Sequence, residues 1–325
     1  MKLGRVAAAV LLAAGLARGA DAGAANAINR PVRLIVPYVP GGATDVLSRF
    51  LAPYLSDDFG QQVVIDNRPG GGSTIGTQIV ARATPDGYTI GMIDAAFLIN
   101  PSLVGKLPYD TLKDFTPIAL VATAPLILVV HPSVPAKSVQ ELIALARAQP
   151  GKLTFASAGN GSAVHLAGEQ LRAVAGIDIV HVPYKGAGQS VTDLLGGQVT
   201  MMFTSQSTIK AHVAGGRARA LAITSARRTQ VMPEVMTFRE AGLPAVDAVT
   251  INGLIGPAGT PADYVKRVNG VVQRALATRE LQDKLGELGF EIAGGTPQEF
   301  AAWIRREIAK WAQVVKASGA KAAGM

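Results

Sequence analysis

A chain of 325 residues is long enough for two compact domains, because single hydrophobic cores stop growing at roughly 250 to 300 residues. The composition is 49% hydrophobic and 17% charged with 36 glycines and 19 prolines, which excludes a disordered chain or a helical bundle and favours a turn-rich α/β protein. The formal net charge of +8 comes from scattered basic residues without interleaved aromatic side chains, so nucleic-acid binding is not expected.

The N-terminal segment has the pattern of a secretory signal peptide. Lys2 and Arg5 precede an apolar stretch over residues 6–16, and small residues follow it. This stretch is shorter than the about 20 residues of a transmembrane helix, so we expect cleavage after residue 22, or as late as residue 27. The chain has no cysteine for a lipid anchor or a disulfide. A soluble periplasmic protein is therefore expected.

The first part of the expected mature chain alternates strands with helices. Hydrophobic periodicity predicts strands and helices, in chain order, over residues 32–38, 43–55, 63–66, 74–83 and 88–93. Glycine-rich turns separate them. Alternation at these lengths predicts parallel strands joined by right-handed crossovers.

The pattern restarts after an apolar run at residues 118–130, which is predicted to be a buried strand that crosses between two lobes. Later strands are predicted over 152–157, 179–182, 199–203, 219–224 and 250–255. The last of these returns the chain to the first lobe, and an apolar stripe in the C-terminal helix is expected to pack over that lobe. Hinges are predicted near residues 128–131 and 249–255.

Two matched strand, turn and helix units, at residues 38–44 and 157–165, predict a ligand site. The first turn of a helix has unpaired N–H groups and about half a positive charge, so two such ends that face one cleft can hold a carboxylate. Nearby side chains can add directional hydrogen bonds, namely Thr44, Ser157, Asn160 and Ser162. Tyr38 and Tyr184 each end a strand beside a glycine turn, and either line the cleft or pack at its rim.

Particular residues argue against other functions for these motifs. The Gly159–Gly161 turn begins like a dinucleotide fingerprint, but Val164 occupies the position of the third glycine, and the loop 70–76 lacks the phosphate-binding Gly-Lys-Ser/Thr ending. Metal binding is not expected because the histidines are dispersed without acidic partners at ligand spacing, at His131, His165, His181 and His212. No metal and no cofactor are predicted.

A hydrolase is a remote alternative. Ser162, His165 and Asp193 could form a triad only if the fold brings them together, and no G-x-S-x-G nucleophile elbow is present. His165 is better interpreted as a helix-surface residue that hydrogen-bonds a neighbour or a ligand. No catalytic residue is predicted.

Ordered motifs along the mature chain resemble those of the substrate-binding proteins of tripartite tricarboxylate transporters, the Bug family. The matching segments are VPYVPGGATD (36–45), NRPG (67–70), PDGYT (85–89), YDTLKDFTP (109–117), ASAGNGSAVHLAGE (156–169), HVPYKG (181–186), LGGQV (195–199) and EAGLP (240–244).

This resemblance implies a two-lobed periplasmic-binding-protein fold of type II-like form, in which each lobe is a mainly parallel sheet flanked by helices. Lobe 1 would comprise residues 28–129 and 252–325, lobe 2 would comprise 130–251, and the ligand cleft would lie between them. The resemblance also implies a monomer that binds a small organic acid and delivers it to membrane transporter subunits. The family's ligand loops map to Tyr38, Gly42, Ala43 and Thr44, and to Ser157, Asn160, Gly161, Ser162 and His165.

Two departures from the family pattern concern the ligand. Thr200 and Thr204 lie in a segment where relatives often carry aspartates, and Asp94 lies where relatives usually have small hydroxyl residues. If Asp94 or Thr204 faces the cleft, the ligand differs from a simple dicarboxylate, and an acid there favours a ligand with an ammonium or hydroxyl group. A periplasmic sensor that presents its closed form to a signalling receptor would have the same sequence features and remains an alternative.

Overall fold

The computed structural model describes residues 28–41, 43–184 and 187–318. The predicted signal peptide and Gly42 therefore lie outside the described residues. The strands of the described part are β1 (Val32–Val36), β2 (Val63–Asn67), β3 (Thr89–Ile93), β4 (Phe115–Val130), β5 (Thr154–Ser157), β6 (Val180–Pro183), β7 (Met201–Ser205), β8 (Arg219–Ile223), β9 (Val249–Pro257) and β10 (Glu291–Ile292).

Helices cover the faces of these strands. Within the same residues they are α1 (Ala43–Phe59), α2 (Thr74–Ala81), α3 (Ala95–Leu103), α4 (Val139–Ala148), α5 (Ala163–Ala175), α6 (Ala187–Leu195), α7 (Gln206–Ala214), α8 (Ala262–Leu276), α9 (Arg279–Glu287) and α10 (Pro297–Ser318). The mixed α/β fold predicted from the alternation is confirmed.

The strands form two sheets that share β4. One sheet has the order β2-β1-β3-β9-β4, the other has the order β4-β7-β5-β6, and β10 and β8 also pair with β4. The β2-β1-β3 and β6-β5-β7 groups are parallel, as predicted, whereas β4 and β9 run antiparallel to their partners. The carboxyl ends of the parallel strands in each group therefore carry the loops that the sequence singled out.

β4 confirms the buried crossing strand that the apolar run predicted. Its residues up to Pro125 pair with β9, and those from Leu126 onward pair with β7 and β8. Proline has no N–H to give to a ladder, so it suits the point where the partner changes. The lobe boundaries and hinge positions remain predictions.

Several elements differ from their predicted extents. α1 continues through Pro53 to Phe59 because Leu55 and Phe59 are buried and extend its apolar stripe, and Gly60, with a φ of 65°, follows its end. α3 was not predicted. α3 is buried along most of its length, so it lacks the polar face on which periodicity depends.

The C-terminal helix α10 was predicted to pack over the first lobe. It packs against α3 and β4, but also against α5, which belongs to the second parallel group. Phe300 and Trp311 of α10 are each 1% exposed and lie in a continuous apolar core that includes residues beside both sheets. None of the helices in the described ranges combines the length and the apolarity that a membrane span requires.

Candidate functional site

A cavity of about 520 Å³ lies between the loops of the two sheets. From the first sheet it is lined by residues after β1 and β3, by the glycine loop before α2 and by α3. From the second sheet it is lined by the loop after β5 and the start of α5. The lining residues of the described chain are Tyr38, Gly71, Gly72, Asp94, Ala96, Asn100, Leu103, Val104, Ala158, Gly159, Asn160, Gly161, Ser162, Ala163, Val164 and Thr250.

The two sides of the cavity meet closely at Gly161. Gly161 has a φ of 77°, and a Cβ atom on it would lie 1.9 Å from Leu103 Cδ2 of α3. Only glycine satisfies both the backbone conformation and this approach. The loop after β5 is therefore seated directly against the helix that begins at Asp94.

Asp94 lines the cavity and also begins α3. Its Oδ1 accepts a hydrogen bond of 3.1 Å from the Ala96 N–H, which caps the helix, and its Oδ2 accepts one of 2.6 Å from the Tyr38 hydroxyl. Burial raises the pKa of Asp94 to about 6, although both hydrogen bonds favour the charged form. Burial and the neighbouring Asp94 also raise the pKa of Tyr38 well above its usual value, so this hydroxyl remains a donor.

The loop after β5 uses several of its own polar groups to hold its shape. The Gly159 N–H donates to Ser157 Oγ, and the Gly161 N–H donates to His165 Nδ1 at 3.0 Å. Ser162 caps α5, since its Oγ accepts from the His165 N–H and donates to the Gly159 carbonyl at 2.7 Å. The N–H groups of Asn160, Ala163 and Val164 find no acceptor among the described residues. These N–H groups are the donors left for a ligand.

The sequence analysis expected His165 at the helix surface, but the side chain is buried. It is 4% exposed, its Nε2 lies 3.6 Å from Glu169 Oε1, and its ring stacks on His181 with centroids 3.9 Å apart. His181 in turn lies 2.7 Å from Ser157 Oγ, and burial together with His165 and Arg172 lowers its pKa to about 4. The histidine pair supports the loop from behind the cavity.

The triad considered for a hydrolase is not assembled. The Ser162 hydroxyl donates to a backbone carbonyl, and Asp193 accepts a hydrogen bond of 2.7 Å from the Tyr184 hydroxyl. His165 uses its Nδ1 to accept from the Gly161 N–H. Among the described residues, no hydrogen bond joins the Ser162 hydroxyl to a histidine ring or to a carboxylate.

The predicted site residues divide into two groups. Tyr38, Asp94, Asn160, Gly161 and Ser162 line the cavity. The other predicted residues with described side chains do not line the cavity. Four of them are buried, namely Thr44, Ser157, His165 and Thr204, and the Tyr184 hydroxyl donates a hydrogen bond to Asp193. Gly42 and the side chain of Ala43 lie outside the described residues.

Asp45 holds the loop after β1. Burial would raise the pKa of its carboxyl, but hydrogen bonds from Arg49, from the Gly41 N–H and from Asn67 lower it to about 2. Asn67 also donates to the Tyr38 carbonyl at 2.9 Å. Asp45 thus fixes the backbone that carries Tyr38.

Sequence reasoning missed the wall that α3 provides. Ala96, Asn100, Leu103 and Val104 line the cavity, and the Asn100 amide donates to the Gly72 carbonyl at 2.9 Å, which fixes the glycine loop before α2. An Asp followed by Ala-Ala is a helix-start pattern and was the available signal. Across the described ranges, no three His, Cys, Asp or Glu side chains are grouped as metal ligands would be.

Ionisation of Asp94 is expected to destabilise the ligand-free fold. The pKa of Asp94 in the folded protein, about 6, lies above the value of roughly 3.9 in an unfolded chain. The contribution of the neutral carboxyl to the unfolding free energy is therefore fully present below about pH 4 and is lost as the pH rises through 6. Asp94→Asn should raise the unfolding free energy at pH 7.5 by roughly 1–3 kcal/mol, and most of this gain should vanish at pH 4. Urea unfolding at both pH values measures the difference.

Asp45→Asn is the matched control, with the opposite expected sign. The pKa of Asp45 is lowered, so its ionised form stabilises the fold above about pH 4, and this stability is lost as the pH falls toward 2. Asp45→Asn should therefore destabilise the protein at pH 7.5. Equal loss of stability in both variants at that pH would contradict the assignment for Asp94.

The fold is two sheets that share a strand, and the cavity lies between the loops at the carboxyl ends of their parallel strands, where ligands of α/β proteins bind. Residues 47–320 match the family model described as the tripartite tricarboxylate transporter family receptor. The chain belongs to this family, as its motifs predicted. It is a solute-binding receptor of the tripartite tricarboxylate transporter type.

Individual relatives agree with this membership. The chain is 37% identical to BugT of Bordetella pertussis over 294 residues, which cover 90% of each chain. Among solved structures it is similar to Rpa4515 of R. palustris with adipate, with a TM-score of 0.79, 35% identity and coverage of 91% of this chain and 99% of that one. It is also similar to MatC of Rhodopseudomonas palustris with bound malate, with a TM-score of 0.76, 32% identity and coverage of 88% and 99%.

Proposed function

We propose that the protein captures a small organic acid in the cavity between its sheets, in the periplasm, and delivers it to the membrane subunits of a tripartite tricarboxylate transporter. The observation that carries the proposal is the start of α5, where the Ala163 and Val164 N–H groups border the cavity without a described acceptor. A monomer without catalytic activity is part of the same proposal.

The N-terminus of α5 can bind one carboxylate group of a ligand. Aligned peptide dipoles place about half a positive charge at a helix N-terminus, and the first-turn N–H groups point outward from it. The Asn160 N–H lies in the same loop and adds a further donor. Donors of this kind hold an anion without a basic side chain.

The walls of the cavity suit a short carbon chain. Leu103, Val104 and Val164 contribute apolar surface, and the volume of about 520 Å³ falls in the range of small-molecule sites. The similar Rpa4515 and MatC carry adipate and malate in their structures, and both ligands are short organic acids. These relatives support a small organic acid as the class of ligand.

A thermal-shift screen tests the proposal. The chain from residue 28 onward would be heated with mono-, di- and tricarboxylates, amino acids and aromatic acids, because a ligand that binds only the folded state raises the melting temperature. At 100 times its Kd, a ligand should add about 2.7 kcal/mol to the unfolding free energy. A shift with one class of acid is expected, and uncharged amides of the same acids are the controls. Equal shifts with acids and amides, or none with either, would contradict the proposal.

A further inference from the structure

One side chain in the cavity has a charge that no described basic side chain pairs with. Among the described lining residues, Asp94 is the only one with an ionisable carboxyl or basic group, and it takes part in none of the ion pairs of the described chain. Its neighbours Tyr38 and Tyr109 are neutral phenols. Asp94 is partly buried, and the start of α3 and the Tyr38 hydroxyl stabilise its charge in part, so a cation in the cavity would supply the full opposite charge that the side chains do not.

The carboxylate also has unused capacity for hydrogen bonds. Each carboxylate oxygen can accept about two hydrogen bonds. The described residues supply one to Oδ2, from Tyr38, and one to Oδ1, from the Ala96 N–H. These two bonds orient the carboxylate rigidly and leave acceptor positions on it. With a pKa of about 6, the group is mostly ionised near pH 7, and an ionised carboxylate accepts hydrogen bonds and donates none.

The charges at the two sides of the cavity are opposite in sign. The start of α5 presents N–H donors from the second sheet, whereas Asp94 presents an anion from the first. A plain dicarboxylate with its first acid group on α5 would place its second near Asp94, where like charges repel. A molecule with a carboxylate at one end and a protonated amine at the other would match both sides.

We infer that Asp94 is a specificity-determining residue that binds the protonated amine of the ligand, so that the receptor prefers small amino acids, whose charges are zwitterionic, over dicarboxylates of the same length. The inference rests on the proposed function, since it takes the start of α5 as the carboxylate site. An ammonium is favoured over a hydroxyl because it supplies both donors and the missing positive charge.

Matched ligand pairs test this preference by calorimetry. Succinate with 4-aminobutanoate, glutarate with 5-aminopentanoate, and adipate with 6-aminohexanoate are pairs of equal carbon number in which a protonated aminomethyl group replaces one carboxylate. The wild-type protein should bind the amino member of at least one pair about tenfold or more tightly than the other member. Asp94→Asn has nearly the same shape and keeps an acceptor for the Ala96 N–H, and it should abolish or reverse that preference.

The outcomes separate the inference from the function on which it rests. Tighter binding of the dicarboxylate member in every pair, unchanged by Asp94→Asn, would overturn the inference and leave the proposed function standing. No binding of either member in any pair, together with no acid shift in the thermal screen, would overturn both. Urea unfolding of Asp94→Asn verifies that a lost preference is not lost folding.

Discussion

Replacing Ala163 with proline is expected to weaken carboxylate binding by roughly 10- to 100-fold, because the ligand loses one hydrogen bond to its charged group. Ala163 is the first residue of α5, a position at which proline is well tolerated because its N–H makes no intrahelical bond. Ser162 already has φ −66° and ψ 154°, the extended conformation that a residue before proline adopts. The substitution therefore removes a donor and leaves the helix intact. Titration calorimetry with the acid found in the thermal screen measures the loss.

Arg279→Pro is the matched control. Arg279 is the first residue of α9, its side chain is 90% exposed, and Thr278 before it has φ −74° and ψ 137°. The same change is therefore made at a helix start that does not line the cavity, and it should leave the Kd unchanged. If Ala163→Pro also leaves the Kd unchanged while the protein stays folded, the carboxylate is not held by the start of α5.

Trp311→Ala is expected to lower the unfolding free energy by roughly 3–5 kcal/mol, the usual cost of emptying a buried aromatic position. Trp311 is 1% exposed and lies on α10, which packs against α3 beside the cavity and against α5 of the second parallel group. Removing it leaves a void where these elements meet. Chemical denaturation followed by circular dichroism gives the free energy without depending on tryptophan fluorescence.

The second tryptophan provides the comparison. Trp303 lies on the same helix but is only partly buried, against the edge of the core. Trp303→Ala should therefore cost clearly less than Trp311→Ala, because less apolar surface loses its contacts. Equal losses in the two variants would contradict the view that α10 joins the core at Trp311.

The parts of the fold that rest on local patterns could be predicted from the sequence. The run that became β4 is apolar over its length, and residues 38–44 and 157–165 contain glycine turns where strands meet helices. α3 could not be found by periodicity, because it is buried on most sides and has no polar face. The end of α1 was predicted too early because the apolar stripe was followed only to Leu55, whereas the buried Phe59 continues it.

The location of the candidate site could be predicted from the sequence, but its detailed contacts could not. Asp94 stood out as a departure from the family pattern, and it does line the cavity. The role of His165 depends on the approach of its ring to His181 and to the Gly161 N–H, and sequence spacing does not give such distances. Which N–H groups remain for a ligand depends on the same internal bonds, so only the folded loop distinguishes Ala163 and Val164 from Gly159 and Gly161.

A crystal structure of the protein with the acid that gives the largest thermal shift tests the central claim most directly. We predict a carboxylate oxygen within about 3 Å of the Ala163 or Val164 nitrogen, with the rest of the ligand in the cavity beside Asp94. A ligand bound instead in the groove of about 440 Å³ beside Lys137, Arg219 and Arg228 would contradict the account, because basic side chains would then hold the acid in place of the α5 N-terminus.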